Sequence, residues 1–279
     1  MGITKKKIKI IIFGASGSIG SYLAKEYISQ NNELLLFVKN IKSKKKILDE
    51  LKFYSSLKKI TIDQLNIKNF SSINKKLNKH KSFIKNTNII INATGSLGEI
   101  KNILKVNLKK FKNTMDVNFF FNLVLLQNLS KFIKNNKNLL LILFSGGGVT
   151  NYRKNFSSYS ISKLSLVKFV EIVSNEINNK NIRINAIAPG IIKSKMIDIT
   201  MKNRKLVSKK EIIKIEKEIN YSKNALKKLF KVINFLSSNK GKKVTGKLIS
   251  SKWDNIEIWS KKKIEKLNDN DLYFMRRVQ

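Results

Sequence analysis

Short continuous apolar runs alternate along this chain with longer stretches whose apolar residues recur at helical spacing. The first pattern is that of strands covered on both faces, the second that of helices with one covered face. The run over 8–13, interrupted by one lysine, predicts the first strand. A helix over 18–30 follows, with Ile19, Leu23, Tyr27 and Ile28 on one face. Further strands are predicted over 34–38, 59–62, 88–92, 138–144, 182–187 and 244–249. Between them lie a lysine-rich helix ending near Leu51 and helices over 69–77, 116–134, 157–178 and 225–238. Such alternation predicts an α/β fold: a doubly wound parallel sheet of Rossmann type, in three α/β/α layers. The chain's 279 residues suit one such domain over 1–279, with no solenoid repeat or low-complexity linker to divide it. Within it, 195–223 is expected to be a mobile substrate lid and 250–279 a tail packed on the domain.

Glycine and proline punctuate this pattern sparingly, with 12 glycines and one proline. Gly14, Gly17 and Gly20, then Gly95, then Gly146, Gly147 and Gly148, then Gly190 after the sole proline Pro189, fall mostly where strands lead into helices. Ligands of open parallel sheets bind at those connections. Gly14-Ala15-Ser16-Gly17-Ser18-Ile19-Gly20 joins the first strand to the first helix. In such a turn backbone N–H groups approach a pyrophosphate and the helix N-terminus adds its partial positive charge. A tight turn with no ligand carries the same glycines. The second strand ends in Phe37-Val38-Lys39-Asn40, with no carboxylate to bond a ribose 2′-hydroxyl. The cationic Lys39 favours NADP(H) over NAD(H), with a chance lysine as the competing reading. Asp63, Gln64 and Leu65 are placed to hold an adenine, and Asn92, Ala93, Thr94 and Gly95 to lie against the cofactor.

Composition narrows the chemistry. Cysteine is absent, so disulfides and thiolate metal sites are excluded. The single histidine, His80, restricts any Ser-His-Asp arrangement to one that uses it. It lies in a lysine-rich amphipathic stretch and reads as a solvated surface side chain. The formal charge of +39 is that of a polyanion binder or of a chain biased towards lysine, asparagine and isoleucine. The lysines are spread along the whole chain and arginine is rare, which favours the bias. No specific nucleic-acid partner and no membrane partner are therefore expected. The basic-apolar start is too short for a secretory signal and no apolar run approaches a membrane span. A soluble, cytoplasmic protein is the simplest expectation.

Tyr159 and Lys163 stand at i and i+4, on one helical face. A free tyrosine has a pKa of about 10, and a neighbouring ammonium stabilises its phenolate. Such a tyrosine protonates a carbonyl during reduction or takes the alcohol proton during oxidation. Chance supplies the spacing easily in so lysine-rich a chain. Its setting is more specific: the glycine loop, Ser145 and Pro189-Gly190 all fall at the carboxyl edge of the same predicted sheet.

Those motifs, in that order over about 8–249, resemble the short-chain dehydrogenase/reductase family. The family's glycine motif resembles 14–20, with Ser18 at its middle glycine and Phe13 in place of a threonine. Its Asn-Asn-Ala-Gly motif resembles Asn92-Ala93-Thr94-Gly95, its catalytic asparagine matches Asn118, and its Tyr-x-x-x-Lys matches Tyr159 and Lys163. The resemblance implies that Asn118 supports a proton-relay water and that Lys163 also bonds the nicotinamide ribose. It implies that the Ile192 backbone and Ser194 hydroxyl, after Pro189 and Gly190, orient the nicotinamide amide. The family's serine stands where this chain has Gly146. Ser145, one residue earlier, is expected to orient the carbonyl if the triple glycine shifts the loop, with Thr150 as fallback. The SGGG loop and the tail over 252–278, with Trp253, Trp259 and Tyr273, resemble a subgroup met in sugar-nucleotide and polysaccharide pathways.

The reading is reversible hydride transfer between NAD(P)(H) and a small-molecule carbonyl or secondary alcohol. Tyr159 is the acid/base, and the resemblance implies a homodimer or homotetramer assembled through the helices at 116 and 157. The rivals are a sugar-nucleotide epimerase or dehydratase using bound NAD, and a non-catalytic NAD(P)-binding protein.

Overall fold

The computed structural model describes residues 7–54, 59–133, 139–177, 182–269 and 273. Seven parallel strands form one sheet: β1 (Lys9–Phe13), β2 (Glu33–Val38), β3 (Ile60–Gln64), β4 (Ile89–Asn92), β5 (Leu139–Phe144), β6 (Ile182–Ala188) and β7 (Leu248–Ser250). Their order is β3-β2-β1-β4-β5-β6-β7, so the winding reverses between β1 and β4. In such sheets the ligand crevice opens outside the carboxyl ends of the strands at that reversal.

The helices cover both faces, which is why β1, β2, β4 and β5 are almost continuously apolar rather than alternating. On one face Ile10, Ile12, Leu34 and Leu36 pack against Leu23 and Tyr27 of α1 (Ser18–Ser29) and Leu229 and Ile233 of the later helix at Ser222–Ser237. On the other face Ile11, Phe13, Leu35 and Phe37 pack against two helices that follow β3 and β4. The first, α3 (Phe70–Lys79), contributes Ile73 and Leu77, and α6 (Phe121–Ile133) contributes Phe121 and Leu125. Two short lysine-rich helices, α2 (Ile41–Leu51) and α4 (Lys81–Lys85), flank α3 in the chain.

Several elements differ from the sequence expectation. The helix expected from 116 starts earlier, as α5 (Leu108–Met115), because the Asn107 side chain caps it by accepting from Lys110 N–H. It then passes through a π-helical turn at Asp116–Phe120 into α6. β3 runs on through Gln64, and β7 is shorter than expected, since Gly246 turns the chain with φ +76° just before it. The expected lid is mostly helical, as α8 (Lys195–Lys202) and α9 (Lys209–Glu218), before α10 (Ser222–Ser237). α11 (Lys261–Asp269) buries Ile264 and Leu267, and Trp259 packs edge-on against Phe235 of α10. Trp253 by contrast is exposed. Positions 134, 138 and 178 and most of the expected tail beyond 269 lie outside the described residues.

Candidate active site

The glycine loop leaves β1 by a tight turn in which the Gly14 and Ala15 N–H groups both donate to Phe37 O, binding it to the end of β2. A side chain on Gly20 would stand 2.3 Å from Gly14 O, so the first turn of α1 lies against the loop itself. Gly17 caps α1 with backbone only and no side chain bonds its first-turn amides. A helix start capped in this way leaves its first-turn N–H groups available to an anion. Across the crevice Asn92 is buried, donates to Asn122 Oδ1 at 2.6 Å, and accepts from Thr94 N and Oγ1. Its side chain shapes the Ala93-Thr94-Gly95 turn rather than facing a ligand.

Lys39 is exposed at the end of β2. A second ammonium joins it at the loop: Lys46 Nζ of α2 donates to Ser16 O at 3.1 Å. Among lysines spaced every residue or two, nothing in the sequence singled it out. Asp63 already has partners in the chain. Its carboxylate accepts from Lys76, Lys79 and His80 Nε2 at 3.0, 3.1 and 2.9 Å. Burial pushes its carboxyl up, but the bonds from His80, Lys76, Lys79 and Gln64 N–H outweigh this and hold it far below the carboxylate range. The adenine site therefore cannot count on a free Asp63 carboxylate. Nor is His80 a solvated side chain: it is largely covered and edge-on to Phe37 at 5.6 Å. Leu65 is buried, its N–H donating to Val38 O.

The catalytic residues converge at the foot of α7 (Ser157–Glu176). Tyr159, Lys163, Asn118 and Ser145 are all buried. Lys163 Nζ donates to Phe144 O at 2.7 Å and lies 6.0 Å from the centre of the Tyr159 ring. Asn118 sits inside the π-helical turn, which rotates its side chain to accept from Ser96 N–H and donate to Ser96 O and to Ser162 Oγ. A methyl group on Gly95 would lie 4.0 Å from Lys163 Nζ, 3.7 Å from Asn118 Oδ1 and 2.9 Å from Met196 Cε of α8. These four residues meet around one small space. Burial raises the Tyr159 pKa and lowers that of Lys163 to about 8.

The glycine at the family's serine position has a steric reason. A side chain on Gly146 would stand 2.1 Å from the Tyr159 hydroxyl. Ser145 N–H donates to Ile187 O, continuing the β5–β6 ladder, and its Oγ is buried with no protein partner. Thr150 is exposed, which removes it as a fallback. Pro189 and Gly190 end β6, Gly190 at φ +76°, and lead to a buried Ile192 and to Ser194, which caps α8 without a side-chain bond. Sequence reasoning missed Arg153, whose guanidinium lies over Phe156 and beside Tyr159, and Glu211 of α9, which it grips. Both stand among other charges in a chain crowded with them, so only the fold singles out the pair.

A buried phenol beside an ammonium can exchange a proton but cannot supply or accept a hydride by itself. A dinucleotide at the glycine loop supplies that half of the chemistry, which makes the class a nicotinamide-dependent oxidoreductase on a Rossmann-type sheet. Comparison with known proteins narrows it: the family model for short chain dehydrogenase matches residues 8–205, and the chain belongs to that family. It is 28% identical to the 3-oxoacyl-(acyl-carrier-protein) reductase FabG of Buchnera aphidicola, over 88% of this chain and 96% of that protein. It is 25% identical to FabG of Rickettsia typhi, over 86% and 92%. The fold matches an Escherichia coli oxidoreductase, yciK, with TM-score 0.74 and 16% identity over 90% and 98% of the two chains. It also matches ElxO with NADP bound, with TM-score 0.72 and 18% identity over 88% and 97%. The chain is thus an NAD(P)-dependent short-chain oxidoreductase. No helix among the described residues is long and apolar enough to cross a membrane.

Proposed function

We propose that this enzyme uses NADPH to reduce the ketone of an apolar, acyl-type substrate. One observation carries the substrate class: the Tyr159 ring is packed among Leu97, Ile100, Phe156, Val207 and Ile212, with Met196, Ile199 and Met201 against the cluster. Walls of that kind suit an acyl chain and offer a sugar's hydroxyls few partners. The FabG relatives act, by name, on 3-oxoacyl groups. Both points weigh against the sugar-nucleotide setting expected from the SGGG loop.

In this reading the nicotinamide supplies the hydride. The uncapped start of α1 receives its pyrophosphate, and Lys39 with Lys46 attracts a 2′-phosphate. Ser145 Oγ, a buried hydroxyl without a protein partner, orients the carbonyl. Tyr159 donates its proton to the carbonyl oxygen, and burial keeps that proton on the phenol at neutral pH. Lys163 remains an ammonium below about pH 8, near enough to stabilise the phenolate left behind. Asn118 holds the π-helical turn against Ser96 and Ser162. The Ile192 backbone and Ser194 hydroxyl orient the nicotinamide amide, and 195–223 forms the lid. Assembly as a homodimer or homotetramer runs through the outer faces of α7 and of α6 with the π-helical turn before it, where Phe120, Ile161, Leu164 and Ile172 are exposed.

The test follows NADPH absorbance with 3-oxoacyl thioesters, simple ketones and nucleotide sugars. Turnover with the thioesters, and tighter binding of NADPH than NADH, are the expected results. Tightly retained NAD with no net cofactor turnover on any ketone would overturn the reading in favour of an epimerase.

A further inference from the structure

Arg153 lies on the loop between the triple glycine and α7, in a place built to receive it. Its guanidinium stacks 3.6 Å from the centre of the Phe156 ring and lies 5.3 Å from that of Tyr159. A side chain on Gly148 would stand 3.2 Å from its Cβ, so that glycine leaves room for its stem. From the lid, Glu211 of α9 meets it: Nε and Nη2 both donate to Glu211 Oε1, at 2.8 and 2.6 Å. The two side chains are only 13% and 19% exposed, which separates this pair from most of the surface ion pairs. A second fastening lies two residues on. Asn155 adopts a left-handed backbone, φ +65°, and its Nδ2 donates to Leu206 O in the lid. Val207 and Ile212 complete the contact by packing on Tyr159.

We propose that the Arg153–Glu211 pair is the catch that couples closure of the lid to the acid/base tyrosine, with Arg153 as the positioning residue. The proposal rests on the reading of Tyr159 as acid/base. The charged groups facing the Tyr159 ring are Arg153 on the loop, Glu211 on α9 and Lys163 on α7 itself. After burial, Arg153 acts to lower the phenol's pKa and Glu211 to raise it. When the lid closes, Glu211 offsets the guanidinium, and the phenol keeps its proton for the substrate enclosed with it. When the lid opens, the guanidinium faces the phenol without that offset.

The experiment combines hydrogen exchange of residues 195–218 with ultraviolet titration of Tyr159, taken as each protein minus its Tyr159→Phe counterpart. Glu211→Gln and Arg153→Met should each speed exchange of the α9 amides about tenfold, as expected for breaking a mostly buried pair. The titration midpoint should fall in Glu211→Gln, rise in Arg153→Met, and stay near wild type in Arg153→Lys, which keeps the charge. Unchanged α9 exchange in both variants would overturn the proposal, as would midpoints that stay put or move the same way. A merely structural pair would not give shifts of opposite sign, and Glu211→Gln alone still decides if Arg153→Met fails to fold. Neither readout needs turnover, so failure of ketone reduction by the wild type is seen separately.

Discussion

Burial moves the two central side chains in opposite directions: it holds the proton more tightly on Tyr159 and more loosely on Lys163. Both shifts favour neutral groups in an apolar site, so the charged lysine is kept at a cost to stability. Its folded pKa of about 8 lies below the free value of 10.5, so between those values the unfolded chain binds more protons than the folded one. Stability contributed by this residue therefore rises with pH across that window, and the penalty is fully present below it. Lys163→Met should raise unfolding stability at pH 7 by on the order of 2 kcal/mol. The gain should shrink as pH rises above about 8, in parallel urea melts, while turnover is lost. In the wild type, turnover should decline above the same pH as the ammonium is lost. The sequence made the pair legible through its spacing and setting. It could not show that a second cation, Arg153, also lies beside the phenol, because that depends on which loop residue the fold turns over the ring.

At the scale of elements, the triple-glycine loop and the π-helical turn decide the site. The loop lets Tyr159 rest where a serine side chain would otherwise stand. Gly146→Ser restores the family's usual residue yet should displace the tyrosine. Turnover should fall about 100-fold, the scale of a misplaced catalytic group, with a stability loss of about 1–3 kcal/mol from overpacking. Increased turnover in that variant would show that the working position of Tyr159 lies elsewhere. β1, β2, β4 and β5 were legible because each is an almost unbroken apolar run, and the early helices because their apolar faces are regular. The start of α5 was hidden by lysines, and only its Asn107 cap marks it. The lid helices were missed for a similar reason: α9 buries just Ile212 and Ile215 in a sequence otherwise charged. His80 was misjudged because its lysine-rich surroundings look exposed in sequence, whereas the folded chain covers it beside Asp63 and Phe37.

Across the whole molecule, the reversal of strand order between β1 and β4 brings the glycine loop, Gly95 and the foot of α7 to one edge. That convergence explains why residues far apart in sequence act together. The lysines behind the net charge of +39 are spread along the whole chain. Everything in the site points at one proton, the one on Tyr159 Oη. The most direct measurement is single-turnover oxidation of bound NADPH by a 3-oxoacyl thioester, wild type against Tyr159→Phe, with NADPH affinity measured on both. Loss of a general acid predicts at least about a 100-fold slower reaction, with NADPH binding unchanged. A Tyr159→Phe enzyme that reduces the thioester at the wild-type rate would contradict the account.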